Sequence, residues 1–490
     1  MVITTDVLVV GGGGSGLAAA LSARENGADV VLVEKARGVG GTTALSIGSI
    51  TASCTPHQKR AGITDSPDAH YEDMPLFTPE RSRRDNTALR RVLVDNVTDT
   101  LAWLEGFGLT FHGPAEEPPH RVARMHNVMP NSSAFIWVLE RQARRRGIVI
   151  HEGVRALDLI LENGRVCGFV AETAEGRREY RARRGVVLTT GDYSGGDELK
   201  TRLAPRVAGV GAINPGNTGD GQAMVERIGG RILNGDFVSG PTLRFHAKPG
   251  RSLLLSIPPY PVLTRAMKWA LETLPKSILR PFILSYVTTF LAPEASLFHD
   301  GAMLVSHDGV RVPVDQRGPG VALAVAENPE SYIVIDGPLT KKYAQWPHFI
   351  STVPNVAYAY LDDYRRMRPD LYRSMPTLEV LAASFGLAPS RLAEVMSTPE
   401  GTAARARPIE PPFTVLGPVR AWTILTDGGV AVDVSHRVLG ADDRPFPGLY
   451  AAGSAGQGGL VLDGHGHHLG WAFTSGRRAG RFVAQEQQAL

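Results

Sequence analysis

The segment that most constrains the fold is a strand, a glycine-rich turn, a helix and a second strand at the start of the chain. The apolar run DVLVV (residues 6–10) leads into GGGGSG (residues 11–16) and then into the helical pattern LAAALSARENG. A second apolar run, ADVVLVEK, reaches Glu34, where a carboxylate can accept the ribose hydroxyls of a nucleotide. Glycines in such a turn let the backbone approach a pyrophosphate, and the helix N-terminus supplies amide donors. The sequence therefore predicts a Rossmann-like α/β domain that binds a dinucleotide.

Length and composition narrow the class of protein. A chain of 490 residues exceeds what one hydrophobic core usually serves, so we expect two or more domains. Lys+Arg number 52 against Asp+Glu 49, and no basic tail is present, so no nucleic-acid partner is expected. The two cysteines, Cys54 and Cys167, are too few for a disulfide framework or a thiolate metal site. Together with the absence of a visible secretory signal, this predicts a cytoplasmic protein.

Several motifs carry a resemblance to a known family. The stretch GVGGTTALSIGSITA (residues 38–52) resembles the GG-x-T-x-x-S segment of the fumarate reductase, succinate dehydrogenase and 3-ketosteroid dehydrogenase flavoproteins. In chain order, GVVLTTGDYSGG, NTGDGQAMVERIGG, TDGGVAVD and PGLYAAGSAGQGG are similar to further blocks of that family. The resemblance implies FAD, and it implies a non-covalent FAD because GGTTALS lacks the histidine that carries the covalent link in succinate dehydrogenases. The sequence has no second GxGxxG unit, so a separate NAD(P)H domain is not expected.

The same resemblance implies which residues contact the cofactor. They lie in the first turn, the ribose-binding strand, the GG-x-T-x-x-S segment and the returning C-terminal blocks. The implied residues are Gly11, Gly13, Gly14, Ser15, Gly16, Glu34, Lys35, Gly41, Thr42, Thr43, Ser46, Gly191, Asp220, Gly453, His468 and Leu469.

The family layout also predicts the domain organisation. Residues 1–239 and 423–490 form a discontinuous FAD-binding domain, and residues 240–422 form an inserted α+β cap that covers the substrate. In the cap, Thr377 and Ser390 are the predicted N-caps of two helices, and SYIVID is a predicted strand. The segment 258–293 is longer than in the family. Its apolar helical face and its basic residues leave three interpretations open: packing on the core, contact with a second copy of the chain, or rest on a membrane surface.

The stretch DGHGHHLGW (residues 463–471) is the first candidate for the chemistry. It precedes a helix predicted to start near Leu469, and relatives place substrate-contacting residues here. His467 and His468 are the predicted proton carriers because the pKa of a histidine lies near neutrality. His126, in a loop that reaches the flavin pocket in relatives, is a further candidate. A metal site is not expected, because one short loop offers these histidines without an acidic or thiolate partner nearby in sequence.

Comparison with the branches of the family narrows the substrate. The dicarboxylate branch binds its substrate through two histidines and an arginine, whose positions hold Gly240, Leu425 and His468 here. The chain is nearest in character to the 3-ketosteroid dehydrogenase branch, which implies that Gly466 holds a substrate ketone. Tyr286 in the cap is a second candidate for this contact.

The favoured hypothesis is an FAD-dependent enzyme that desaturates or reduces a carbon–carbon bond next to a carbonyl in a hydrophobic, steroid-like substrate. One alternative is reduction of a small unsaturated acid through Arg317, which lies within about one residue of the proton-donating arginine of the dicarboxylate branch. The other is a protein with structural FAD that binds a membrane surface or a partner. The sequence leaves the electron acceptor or donor, the direction of the reaction and any homo-oligomer undetermined.

Overall fold

The computed structural model describes residues 2–246, 257–275, 279–280, 284, 292–315, 317–353, 357–397 and 409–487. Tyr286 and most of the second half of the segment 258–293 lie outside the described residues.

The strands and helices are numbered in chain order. The strands are β1 (Val2–Val10), β2 (Val30–Glu34), β3 (Ser49–Thr51), β4 (Thr110–Ala115), β5 (Met125–Met129), β6 (Val149–Glu152), β7 (Arg155–Glu162), β8 (Arg165–Thr173), β9 (Gly176–Leu188), β10 (Gly211–Ala212), β11 (Ile232–Leu233), β12 (Val238–Ser239), β13 (Thr242–Phe245), β14 (Met303–Ser306), β15 (Arg311–Val312), β16 (Ser331–Ile335), β17 (Ser351–Val353), β18 (Ala357–Ala359), β19 (Tyr372–Met375), β20 (Phe413–Thr423), β21 (Leu425–Thr426), β22 (Gly429–Val430), β23 (Arg437–Leu439) and β24 (Pro445–Ala451). The helices are α1 (Gly14–Glu25), α2 (Gly41–Leu45), α3 (Pro56–Arg60), α4 (Pro67–Asp73), α5 (Pro79–Ser82), α6 (Thr87–Gly106), α7 (Ser133–Arg145), α8 (Asp197–Leu203), α9 (Asp220–Arg227), α10 (Pro261–Thr273), α11 (Ala295–His299), α12 (Pro319–Val325), α13 (Gly337–Lys342), α14 (Leu361–Met367), α15 (Leu378–Ser384), α16 (Pro389–Ser397) and α17 (His467–Gln485).

The first sheet is built on the predicted βαβ unit. Strands β24, β9, β1, β2 and β6 run parallel in that order, with β23 antiparallel at one edge and the β7–β8 hairpin joined to β9. Residues 7–10 of β1 are buried because neighbouring strands flank them and helices cover the sheet, which explains why VLVV is a continuous apolar run. Since β24 comes from the C-terminal segment, this domain is discontinuous in sequence, as predicted.

Helix α17 packs against α1 through glycines. A Cβ atom at Gly476 would lie 2.3 Å from the Ser15 carbonyl oxygen, and one at Gly480 would lie 2.2 Å from the Ala19 carbonyl oxygen. The two helix backbones approach too closely for any larger residue. This contact fixes the first turn of α17 relative to the glycine-rich turn that precedes α1.

The Gly480→Ala variant is expected to lower the melting temperature by several degrees. The added methyl group meets the backbone of α1, so the helices must separate, and such overpacking costs about 1–3 kcal/mol. Gly106→Ala is the matched control because a Cβ atom at this helical glycine has no neighbour within 4 Å. Thermal unfolding that shows equal melting temperatures for the two variants would contradict the packing described here.

A second sheet is centred on β20. Strands β10, β20, β16, β14 and β15 follow in that order, and β13 and β19 also pair with β20. The predicted strand SYIVID is β16, and Thr377 caps α15 by accepting a hydrogen bond from the Val380 amide. The predicted N-cap at Ser390 is wrong, because α16 begins at Pro389 and Ser390 lies inside it.

Helix α10 belongs to the segment 258–293. It lies on the small sheet of β3, β5 and β4, where the Thr264 hydroxyl bonds to that of Thr110 and Lys268 Nζ donates to the Phe111 carbonyl. Its outer side exposes 81% of Val262 and 60% of Trp269 to solvent. Among the described residues, no helix is long and apolar enough to cross a membrane.

Candidate flavin and substrate site

The glycine-rich turn fits a pyrophosphate. A Cβ atom at Gly16 would lie 1.9 Å from the Gly11 carbonyl oxygen, so the turn closes on itself at this point. A Cβ atom at Gly13, the N-cap of α1, would meet nothing within 4 Å. The space beside Gly13, at the N-terminus of α1, is therefore open. This arrangement suits an approaching phosphate group.

The residues predicted to hold the nucleotide converge on this turn. Glu34, at the end of β2, accepts hydrogen bonds from the amides of Gly12 at 2.6 Å and Ala36 at 2.9 Å. Lys35 Nζ donates to Thr218 and forms an ion pair with Asp220, which opens α9. Lys35 and Asp220 thus lie together as an ion pair, and their contact with the nucleotide stays a prediction.

The segment GGTTALS forms α2 and faces α1. Thr43 Oγ1 accepts a hydrogen bond from the amide of Gly14 at 3.1 Å, which ties the two helix starts together. Thr42 Oγ1 accepts from the side-chain amides of Asn214 at 3.0 Å and Asn217 at 2.8 Å. A Cβ atom at Gly191 would lie 2.8 Å from Asn217 Oδ1. Three motifs that are far apart in sequence therefore meet at one site.

The remaining predicted cofactor residues lie at the same place. Gly41 opens α2, Ser46 ends it, and Ser15 packs against the Gly453 turn, where a Cβ atom would lie 2.6 Å from Ser15 Oγ. Leu469 lies in the first turn of α17. The contacts of these residues with FAD stay a prediction, and their convergence supports it.

Helix α17 begins at His467, two residues earlier than predicted. Its N-cap, Gly466, has a φ of 87°, a left-handed conformation that favours glycine. A Cβ atom there would lie 2.6 Å from the Thr51 amide nitrogen of β3. The first turn of α17 is thereby held against β3, with its amides available to a negatively charged partner.

Of the predicted pair His467 and His468, His468 is the one that combines a charged partner with partial exposure. Its Nε2 lies 2.9 Å from Asp427 Oδ1, and 23% of its side chain is exposed. Arg81 forms ion pairs with Asp427 at 3.4 Å and with Asp463 at 3.2 Å, and it donates to the Val238 carbonyl. Sequence reasoning missed Arg81 and Asp427, although Asp427 stands in the TDGG block.

His467 lies in different surroundings from His468. It is fully buried, its Nδ1 donates to the Asp463 carbonyl at 2.7 Å, and its Nε2 lies 3.1 Å from His70 Nε2. Burial lowers the pKa of His467 to about 3, with the neighbouring His120 contributing. A group that stays neutral and has no access to solvent is poorly suited to carry protons to a substrate.

His126 is also buried. It lies on β5, its Nε2 is 3.0 Å from Thr55 Oγ1, and its ring packs against that of His57. Burial, followed by the neighbouring His57, lowers the pKa of His126 to about 4. These contacts favour a structural role for His126 over the predicted catalytic one.

Buried neutral histidines make stability depend on pH. The pKa of His126 is about 4 when folded and near 6.5 when unfolded, so the unfolded state binds the proton first as the pH falls. The contribution of neutral His126 to the free energy of unfolding is complete above pH 6.5. Below this pH it decreases by about 1.4 kcal/mol per pH unit. As the pH falls from 7 to 5, we expect the melting temperature of the His126→Gln variant to decrease less than that of the wild type. Parallel curves would contradict the assignment.

Arg317 lies just before α12, on a loop of the second sheet region. Its side chain is 65% exposed and is paired with the half-exposed Asp315. The start of α12 lies against the beginning of the predicted cap, since a Cβ atom at Gly320 would be 2.3 Å from the Pro241 carbonyl oxygen. The Arg317 side chain is therefore exposed to solvent, but it already has a carboxylate partner in Asp315.

Comparison with known proteins identifies the family. The family model of the FAD binding domain family (FAD_binding_2) matches residues 6–256 and 294–462. The chain belongs to this family. It binds FAD and is an FAD-dependent oxidoreductase that acts on carbon–carbon bonds. The unmatched residues between the two segments are 257–293, which include the long segment noted in the sequence.

Individual relatives agree with this assignment. A fumarate reductase (cytochrome) of Shewanella frigidimarina is 26% identical over 500 residues, which cover 98% of this chain and 77% of the relative. A vinyl phenol reductase of Lactiplantibacillus plantarum is 23% identical over 524 residues, which cover 99% of this chain and 98% of the relative.

Two solved structures share the fold. A flavocytochrome c3 fumarate reductase in an open conformation matches with a TM-score of 0.73 and 23% identity, covering 99% of this chain and 78% of the other. A 3-ketosteroid delta1-dehydrogenase of Sterolibacterium denitrificans in complex with 1,4-androstadiene-3,17-dione matches with a TM-score of 0.68 and 19% identity. This match covers 98% of this chain and 99% of the other. At these identities the likeness shows the fold alone.

Proposed function

We propose that this flavoenzyme desaturates or reduces a carbon–carbon bond conjugated to a carbonyl, in an uncharged hydrophobic substrate of steroid-like character. His468, held by Asp427, is the proposed proton carrier. The observation that carries the proposal is the 2.9 Å contact between His468 Nε2 and Asp427 Oδ1 at the start of α17. FAD, when bound, exchanges the hydride of such a reaction.

The charges around His468 support an uncharged substrate. Asp427 and Asp463 share a single guanidinium, that of Arg81, so these three side chains carry a net charge of −1. A substrate carboxylate here would compete with two carboxylates of the protein for Arg81. A neutral carbonyl meets no such competition.

The positions that bind carboxylates in the dicarboxylate branch support the same conclusion. Two of them hold Gly240 and Leu425, neither of which can pair with an anion. Both lie beside the ribbon of β12 and β21: Leu425 pairs with Ser239, and Gly240 follows that residue. A buried substrate carboxylate would be left without partners there, which is costly.

The experiment compares substrate classes under one electron donor. Purified enzyme with dithionite-reduced methyl viologen is offered a 3-keto-4-ene steroid, a simple cyclic enone, fumarate and urocanate. We expect oxidation of the dye with the uncharged carbonyl compounds and little with the acids. Turnover confined to the acids would overturn the proposed substrate class while leaving the FAD assignment intact.

A second candidate is reduction of a small unsaturated acid through Arg317. The coverage of 98% of this chain by the match to a fumarate reductase favours it. If it is correct, Arg317→Ala abolishes activity on a carboxylate substrate. Arg444→Ala is the control, because Arg444 is 86% exposed and lies in the C-terminal part of the chain. Unchanged activity of the Arg317 variant excludes this candidate.

A further inference from the structure

Three buried histidines from distant parts of the sequence meet next to the first turn of α17. His70 comes from α4, His120 from the loop between β4 and β5, and His467 is the first residue of α17. One nitrogen of each lies within 4.8 Å of the other two, and the Nε2 atoms of His70 and His467 are 3.1 Å apart. His70 and His467 are fully buried, and His120 is 9% exposed.

Two ring nitrogens in this group have no hydrogen-bond partner among the residues that the structure describes. They are His70 Nδ1 and His120 Nε2, both buried. Buried polar atoms in proteins are nearly always paired, so two unpaired nitrogens within one cluster call for an explanation. A bound ion that takes up ring lone pairs accounts for His120 Nε2, whereas His70 faces His467 with its other nitrogen, Nε2.

The surroundings fit a cation. The Asp463 carbonyl fixes the proton of His467 on Nδ1, which leaves a lone pair on its Nε2 directed at His70. Behind His120, Arg124 is paired with Asp65 and Asp73, and Asp73 is also paired with Arg121, so the two carboxylates balance the two guanidinium groups. Carbonyls and carboxylates behind ligand histidines are the usual outer partners of metal sites.

We propose that His70, His120 and His467 bind one divalent transition-metal ion, with zinc the best match. Neutral imidazoles suit zinc, and three of them with one open position form a known type of zinc site. Tetrahedral zinc with bonds of about 2.0–2.1 Å separates its ligand nitrogens by about 3.3–3.4 Å. The Nε2 atoms of His70 and His467, 3.1 Å apart, are already near this value. The nitrogen of His120 lies within 4.8 Å of them and has to approach by up to about 1.5 Å.

His70 and His120 must each move a ring proton to take part. His70 Nε2 donates to the lone pair of His467 Nε2, so coordination through His70 Nε2 moves its proton to Nδ1. Arg124 Nη1 donates to His120 Nδ1 at 2.9 Å, which places the ring proton on Nε2. Coordination through Nε2 moves this proton to Nδ1, where it needs an acceptor. Asp73 Oδ2, 3.8 Å from Nδ1, is the carboxylate that can accept it after a small movement. The proposal is independent of the substrate and of the proton carrier proposed above.

The test uses the complete FAD-containing protein. After treatment with EDTA, the wild type is titrated with Co²⁺, and absorption between about 500 and 650 nm reports nitrogen ligands in a tetrahedral site. The metal content of untreated protein is measured in parallel. We expect one equivalent of Co²⁺, displaced by Zn²⁺, and a loss of affinity of at least about 100-fold in His70→Ala.

His465→Ala is the matched control. His465 lies on the same loop but is 63% exposed and paired with Glu117. It should bind Co²⁺ like the wild type. The wild type alone can decide the matter if His70→Ala fails to fold: no Co²⁺ absorption and no bound metal would overturn the proposal, as would equal binding by both variants. Either result would mean that the three histidines pack together without a metal ion.

Discussion

The His468→Ala variant is expected to lower turnover about 100- to 10,000-fold while FAD stays bound. This range is typical of the loss of a positioned proton carrier. FAD is retained because the side chain of His468 faces Asp427, while the backbone amides of α17 are unchanged. Turnover and the flavin-to-protein ratio are measured on the same preparation.

Two further variants test this assignment. His465→Ala, on the same loop, should keep its activity because His465 contacts Glu117 and not Asp427. Asp427→Asn should also lower turnover, because His468 Nε2 loses the carboxylate that holds its ring. A His468 variant with normal turnover would exclude His468 as the proton carrier.

The second large effect is expected at Arg124. Arg124 is fully buried and holds two carboxylates, Asp65 and Asp73, each 1% exposed. Burial by itself raises the pKa of Asp73, but hydrogen bonds from Arg121 and Arg124 outweigh it, and the pKa falls below its usual value. Replacing Arg124 by methionine removes the ion-pair partner of the buried Asp65 and leaves Asp73 with Arg121 alone. Breaking a buried ion pair in this way costs about 3–5 kcal/mol. We expect a melting temperature lower by roughly 5–10 °C.

The pH dependence distinguishes this cause from lost packing. Without Arg124, the Asp73 carboxyl takes up a proton more readily, so the deficit relative to the wild type should shrink between pH 8 and pH 5. Arg444→Ala, at an exposed ion pair, should change the melting temperature little at either pH. A deficit that stays constant with pH would assign the effect to packing.

Local patterns predicted the nucleotide-binding half of the molecule well. The turn at residues 11–16 and the strand that ends at Glu34 form consecutive elements, so their chemistry can be read from adjacent residues. The start of α17 was predicted to within two residues, because Gly466 marks it. The family resemblance predicted FAD as the cofactor, and the match to the family model confirms this prediction.

The surroundings of the three loop histidines could not be predicted in the same way. His467 meets His70 across 397 positions of sequence, and His468 meets Asp427 across 41. Whether a histidine is buried with other histidines or faces a carboxylate depends on tertiary packing, which leaves no periodic pattern in the sequence. This is why adjacent residues in HHLGW, predicted as an equivalent pair, have separate environments.

The central claim is direct exchange of hydride with an uncharged carbonyl compound, and the half-reaction of the flavin tests it most directly. Under anaerobic conditions, a saturated 3-ketosteroid is added to the oxidised enzyme, and a steroid enone is added to the photoreduced enzyme. We predict that the absorbance of oxidised flavin is lost in the first case or regained in the second. If neither compound changes it, while fumarate or another unsaturated acid reoxidises the flavin, the claim is contradicted.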